Sequence, residues 1–147
     1  VAPDGFFDRV LRSDALREVL PETDLLIMSL PDTPQTRHIL NAKALVLLPD
    51  GALIVNVGRG SCIDEEALLQ ELQRGRLYAA LDVFEREPLP ENSPLWNCPN
   101  LLITPHTAGN MTLPYTRERI TDLFLEDFRN YCAGRPLIRR IDMTKGY

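Results

Sequence analysis

The sequence predicts an α/β protein built on a parallel sheet, with one long helix near its end. Three observations predict it. Four short apolar runs occur at residues 25–30 (LLIMSL), 52–57 (ALIVNV), 78–83 (YAALDV) and 101–104 (LLIT), and none alternates cleanly between apolar and polar. Helical patterns with start and stop signals lie between them, and each run ends in polar residues and turn formers. Continuous apolar runs of this length suit strands covered on both faces, as in a parallel sheet. Strands alternating with helices imply crossover connections in a layered α/β sheet.

Each element has its own signal. Residues 13–20 (SDALREVL) read as a helix ahead of the first strand. Residues 41–49 read as a short helix with Asn41 as cap and a Pro-Asp-Gly stop. The pattern at 64–75 is clearer. Asp64 suits an N-cap, Glu65 and Glu66 favour the positive helix start, and Gly75 follows the last turn. Ala67, Leu68 and Leu72 form its inward stripe. The last helix is expected from Thr112 to about Ala133, with Gly134 and Pro136 as stop signals. Ile120, Phe124, Phe128 and Tyr131 line one side of it, with Leu123 beside them. A helix of roughly 20 residues spans about 30 Å. That is long for a sheet-covering helix and points to an element that reaches another domain or subunit.

Bulk properties exclude several classes. The 147 residues fit one domain of ordinary size, and 44% hydrophobic with 25% charged residues is a globular composition. A net charge of −5 argues against nucleic acid or an anionic membrane as partner. The basic cluster Arg135, Arg139 and Arg140 is too small for a binding tail and reads as a solvated segment. Cys62, Cys98 and Cys132 are odd in number, widely spaced and without a C-x-x-C pair, which argues against disulfides and against a metal site. A reduced, cytoplasmic protein is the expectation. No run approaches 18 apolar residues, and VAPDGFFDRV is not a signal peptide. The absence of an initial Met is what a fragment or a processed product gives.

The polar clusters carry the chemistry. The first run leads into Ser29-Leu30-Pro31-Asp32-Thr33, the second into Asn56-Val57-Gly58-Arg59-Gly60. The third gives Asp82, then Glu85 and Glu87 before Pro88, and the fourth gives Thr104-Pro105-His106-Thr107-Ala108-Gly109. In open α/β sheets ligands bind outside the carboxyl ends of the strands, so a parallel sheet brings an arginine, acids and a histidine to one rim. Arginine offers a planar fork that fits a carboxylate. A histidine donates or accepts a proton near neutrality, and a nearby carboxylate orients it and favours its charged form. Together, Arg59, Glu87 and His106 would hold a 2-oxo acid and protonate its carbonyl while carbon 2 accepts a hydride. Taken singly, each has a plainer reading: an arginine paired with an acid, a solvated glutamate, a loop histidine. The segment Gly58-Arg-Gly60-Ser-Cys-Ile63 imitates a dinucleotide fingerprint, with Asp82 about where its ribose acid would fall, but residue 63 is Ile and the match reads as coincidence. No true Gly fingerprint occurs in the chain.

The strings VNVGRGSCIDEEAL, AALDVFEREPLPENSPLW and PNLLITPHTAG strongly resemble the D-isomer-specific 2-hydroxyacid dehydrogenases, with the glyoxylate/hydroxypyruvate reductases as the nearest group. The ending IDMTKGY is similar to the tail of its A-type members. The resemblance runs from about Asp24 onward. It implies NAD or NADP as cofactor and small 2-oxo or 2-hydroxy acids as substrates. It implies that Arg59 binds the substrate carboxylate and carbonyl, that Glu87 rather than Glu85 partners the histidine, and that His106 is the general acid/base. Asp82 matches the residue that contacts the nicotinamide carboxamide. Leu30 and Pro31 match the loop flanking the adenosine and its ribose. The resemblance further implies that Val57, Gly58, Arg59, and the turn from His106 to Gly109, border the cofactor.

The resemblance also sets the domain reading. Residues 1–110 correspond to the second half of a Rossmann-like NAD(P)-binding domain. Residues 111–147 correspond to a long helix and tail returning to a flavodoxin-like substrate domain that this chain lacks. The family chain is roughly twice as long, and its Gly fingerprint and its NAD/NADP-selecting loop are expected outside these residues. A homodimer is expected of the full-length protein. The expected activity is that of a longer parent enzyme, and the 147 residues alone are expected to be inactive. The alternatives are a dinucleotide-sensing, corepressor-like binding module and an inactive fragment.

Overall fold

The computed structural model describes residue 5, residues 7–109 and residues 112–144. The four apolar runs become strands β1 (Leu25–Met28), β2 (Leu53–Asn56), β3 (Tyr78–Leu81) and β4 (Leu101–Ile103). They form one sheet in the order β1-β2-β3-β4, parallel throughout. All four carboxyl ends therefore lie along one rim.

Four α-helices accompany them: α1 (Leu16–Val19), α2 (Ala42–Leu45), α3 (Glu65–Gln73) and α4 (Pro114–Cys132). The capping expectations hold. The Asn41 side chain accepts from Lys43 and Ala44 N–H at the start of α2, and Asp64 accepts from Ala67 N–H at the start of α3. Gly75 takes φ +69° just past α3, a left-handed turn that glycine adopts without a Cβ clash. The segment at 13–20 is less helical than its pattern. A four-residue α1 lies between 3₁₀ turns at Ser13–Ala15 and Leu20–Glu22, because Pro21 has no N–H to continue the ladder. The long helix begins at Pro114, behind Leu113, which offers no side-chain cap, and ends at Cys132 ahead of Gly134 at φ +63°.

The expectation of strands buried on both faces is corrected. One face is covered: Met28, Ile54, Ala79 and Leu81 pack with Ala44 and Leu45 of α2 and with Ala67, Leu68 and Leu72 of α3 in a single core. On the other face, register aligns Leu25, Leu53 and Tyr78 in one row and Ile27, Val55, Ala80 and Leu102 in the next. Ile27 and Leu102 are each 64% exposed. The reason is topological. Both α2 and α3 join the same core, and among the described residues no element covers the second face. Nor is any residue of α4 buried: Ile120, Phe124, Phe128 and Tyr131 are exposed, with the two phenylalanine rings stacked at 6.0 Å.

One polar link ties the covered layer together. Arg76, just after α3, donates to the carboxylate of Glu71 and to the carbonyls of Leu48 (2.6 Å) and Leu45 (2.6 Å) at the end of α2. Glu71 is buried and also accepts from Arg74 at 2.9 Å. Arg76 thereby gives the Leu45 carbonyl a second donor besides Leu48 N–H (3.2 Å) and supplies one to the Leu48 carbonyl beyond the helix.

Candidate active site

The turn after β2 is set by a buried side chain. Asn56 accepts from Gly58 N–H through Oδ1 (3.0 Å) and donates from Nδ2 to the Arg59 carbonyl (2.9 Å). This clamp curls the backbone back over the strand end and turns Arg59 outward. Gly58 is pressed onto the loop after β1, where an added Cβ would stand 2.6 Å from Leu30 N, so only glycine fits. The exposed Arg59 side chain donates to the Gly58 carbonyl at 2.8 Å, and among the described residues it forms no ion pair with a carboxylate. The plainer reading of Arg59, a partner for an internal acid, is thus not what the structure contains.

Two histidine–glutamate pairs stand on this rim, one joining the loop after β3 to the turn after β4 and the other joining that loop to the segment after β1. Glu87 Oε2 lies 2.7 Å from His106 Nδ1, while Oε1 accepts from Phe84 N–H at 2.9 Å. Glu85 points the other way, and its Oε1 lies 2.7 Å from Nε2 of His38. The chain holds two histidines, and both have left-handed backbone, φ +47° at His38 and +53° at His106. Burial pushes the Glu87 carboxyl up, but the His106 hydrogen bond, the Phe84 N–H and the charges of His106 and Arg59 outweigh it, so its pKa lies below the ordinary value. Glu87 is therefore an acceptor-only carboxylate near neutrality, which leaves the proton on Nδ1 and turns Nε2 of His106 to the open side. Behind this pair is a cavity of about 310 Å³ walled by Phe84, Leu89, Trp96 and Ile103.

Asp82 has a different place from its neighbours. It is buried, and its carboxylate accepts from the Thr104 hydroxyl, from Thr107 N–H (2.8 Å) and from Ala108 N–H (2.8 Å). Its carbonyl accepts from His106 N–H at 2.9 Å. Burial raises its pKa, yet these hydrogen bonds and the His106 charge bring it below the ordinary value. In this structure Asp82 shapes the turn that presents His106.

The remaining residues border the same rim. Leu30 is half-buried, Pro31 and Gly109 are exposed, and Val57 is 42% exposed at the mouth between Leu30 and Arg59. An apolar edge beside a residue without a side chain suits a planar heterocycle, so the rim fits the nicotinamide end of a dinucleotide. The pattern of the sequence did not single out His38, and it gave Asn56 and Glu65 no part in shaping the site. The signal available for Asn56 was a polar residue closing an otherwise apolar strand. All three cysteines are free, and Cys62 lies under the Leu30-Pro31 loop, where burial pushes its thiol pKa up. Among the described residues no group of acids, cysteines or histidines is placed to hold a metal, and no helix is long and apolar enough to cross a membrane.

Comparison with known proteins identifies the family of the chain. Residues 3–108 match the sequence model of the family described as "D-isomer specific 2-hydroxyacid dehydrogenase, NAD binding domain". Over 140 residues the chain is 41% identical to glyoxylate/hydroxypyruvate reductase A of Salmonella typhimurium, covering 91% of this chain and 42% of that one. It thus spans less than half the length of the curated relatives it matches. Among solved structures, a D-isomer-specific 2-hydroxyacid dehydrogenase of Xanthobacter autotrophicus Py2, in complex with NADPH and MES, is 41% identical with a TM-score of 0.80, over 91% of this chain and 54% of that one. An NADPH-dependent glyoxylate/hydroxypyruvate reductase of Sinorhizobium meliloti, in complex with NADP and sulfate, is 34% identical with a TM-score of 0.81, over 96% and 47% of the two chains.

Proposed function

The chain belongs to the D-isomer-specific 2-hydroxyacid dehydrogenases, and from that membership we propose that it carries the chemical side of an NAD(P)H-dependent reductase of small 2-oxo acids. The names of its relatives point to substrates of the glyoxylate and hydroxypyruvate class. The observation that carries the reading is the 2.7 Å contact of His106 Nδ1 with Glu87 Oε2 on the rim that also bears Arg59.

In this reading the Arg59 fork binds the substrate carboxylate and draws on the carbonyl oxygen. His106, charged and held by Glu87, gives its Nε2 proton to that oxygen as carbon 2 is reduced. Glu87 keeps the imidazole oriented, and it stays ionised throughout. A nicotinamide held at this rim would supply the hydride. Val57, Gly58, Arg59, Asp82, His106 and Gly109 would border its nicotinamide end, with Leu30 and Pro31 towards the adenosine. Asp82 would do so through the acceptor capacity that Thr104, Thr107 and Ala108 leave over. No pyrophosphate-binding Gly turn occurs in the 147 residues, so the phosphate grip is assigned to another part of the full-length protein, and the chain alone is expected to be inactive.

We further infer a division into a cofactor-domain part at 1–110 and a part at 111–147 that packs on a substrate domain. The wholly unburied α4 supports it. A homodimer in the cytoplasm completes the proposal, with the free cysteines suited to a reducing compartment. The test is consumption of NADPH or NADH by the full-length protein on addition of glyoxylate or hydroxypyruvate, with His106→Asn as control. Turnover that disappears in the variant supports the reading. Cofactor binding without turnover on either acid would favour a dinucleotide-sensing module instead.

A further inference from the structure

Three chain segments that follow three different strands are tied together beside the proposed site. The segment after β1 runs next to the turn after β2: His38 N–H donates to the Ser61 carbonyl (2.8 Å), Leu40 N–H to Cys62 (3.1 Å) and Asp64 N–H to Leu40 (3.2 Å). The loop after β3 joins them through Glu85. Its Oε1 meets His38 Nε2 at 2.7 Å and accepts from Glu65 N–H at 3.3 Å. The Glu65 carboxylate in turn accepts from Glu85 N–H, so the two glutamates hold each other's backbone. A third tie is steric, because Gly60 lies against the backbone of Phe84 and Glu85 where no Cβ would fit.

These ties stand two residues from the chemistry on both sides. Ser61 follows Arg59 by two residues, and Glu85 precedes Glu87 by two. We propose that Glu85, gripped by His38 and Glu65, is a positioning residue: it fixes the loop that carries Glu87 and thereby sets His106 against Arg59. This rests on the reductase reading of Arg59, Glu87 and His106. Two facts favour positioning over a plain structural role. The His38 and Glu85 side chains are 39% and 35% exposed, and ion pairs of that exposure add little to stability. The cluster also carries a cost: burial and the charges of Glu85 and Glu87 raise the Glu65 pKa, against the pull of the Glu85 N–H. Three carboxylates crowded at a rim repel one another, so the arrangement is not one that stability alone favours.

The test uses the full-length protein with Glu85→Ala, Glu85→Gln and His38→Asn. Misplacement of reacting groups by about 1 Å can cost on the order of 10²-fold, so partial loosening of one brace is expected to lower kcat for glyoxylate about tenfold in Glu85→Ala. KM for NADPH stays within about twofold and Tm moves by a few degrees at most. Glu85→Gln keeps an acceptor for Glu65 N–H and His38, so it regains most of kcat. His38→Asn tolerates the left-handed backbone but cannot reach Glu85, so it falls several-fold. Unchanged kcat in Glu85→Ala and His38→Asn, or Glu85→Gln no better than alanine, overturns the proposal. Should Glu85→Ala not fold, the other two variants decide alone. A wild-type protein inactive on both oxo acids would sink the reductase reading instead. The ¹⁵N signals of the His106 ring, identified by their loss in His106→Asn, then judge the brace: moved in His38→Asn they uphold it, unmoved they overturn it.

Discussion

Glu87 and His106 are joined at 2.7 Å through the carboxylate oxygen that is not committed to Phe84 N–H. One oxygen anchors the side chain to its own loop and the other orients the imidazole. Charge and anchoring can therefore be separated. Glu87→Gln keeps an oxygen for Phe84 N–H but presents a neutral amide to His106. The expected outcome in the full-length protein is a Tm within a few degrees of wild type and a kcat for glyoxylate reduced about 10²-fold or more, the scale of general acid–base help. Steady-state kinetics beside a thermal melt measure both, and wild-type kcat would remove Glu87 from the mechanism.

Asn56 clamps the turn through Gly58 N–H and the Arg59 carbonyl, and the guanidinium adds one bond to it, to the Gly58 carbonyl, which a lysine ammonium can also make. Arg59→Lys should fold normally, keep one positive charge and lose the planar fork. KM for the oxo acid is expected to rise about tenfold or more, with KM for NADPH within about twofold. Equal effects on both KM values would point to a disturbed turn rather than a lost carboxylate contact.

Asp82 titrates below its ordinary value in the folded chain. A depressed folded pKa means that the ionised form is favoured by folding. The stabilisation is complete above the unfolded value of about 3.9 and is lost as the pH falls through the lower folded value. Glu87 contributes with the same sign, and Glu65, whose pKa is raised, with the opposite one. Asp82→Asn should cost about 1–3 kcal/mol at neutral pH, because an amide cannot accept from three donors with its one oxygen. Its urea midpoint should then fall less steeply than wild type below about pH 4. Parallel acid limbs in the two proteins would contradict the assignment.

The Glu71–Arg76 pair is a matter of stability alone. Arg76→Met takes one donor from the buried Glu71 carboxylate, strands the Leu48 carbonyl and leaves the Leu45 carbonyl with Leu48 N–H alone. Removing one partner of a buried pair costs about 3–5 kcal/mol, and because Arg74 still reaches Glu71 the lower end is expected. Urea unfolding of the chain measures it. Replacing Glu71 by Leu in the same variant should recover a good part of the loss.

The strands and the capped helices were legible because their signals are local. Asn41, Asp64 and Gly75 sit where backbone geometry needs them. The site was legible as a set of residues at strand ends, since a parallel sheet sends all such ends to one rim. What was not legible depends on contacts between distant segments. A run such as LLIMSL reads the same whether one face or two are covered, so the bare rows through Leu25 and Ile27 could not be foreseen. Asp82 and Glu85 were visible as acids, but only the fold gives one to the Thr104–Ala108 turn and the other to His38. Nothing local in the sequence marks Arg76, whose partners Glu71, Leu45 and Leu48 are brought to it by the fold.

The left-handed backbone at residue 106 limits which amino acids selection or mutagenesis can try there. At φ +53° a β-branched side chain is close to forbidden, alanine is strained, and glycine, asparagine, aspartate and histidine itself are the tolerated set. Histidine is the member of that set with an unperturbed pKa near neutrality. A saturation library at this position would thus yield a narrow spectrum of unstrained proteins, with most other residues costing about 1–2 kcal/mol, and within that spectrum only the parent carries a group suited to shuttle a proton at physiological pH. His106→Val confounds backbone with chemistry, whereas His106→Asn isolates the chemistry.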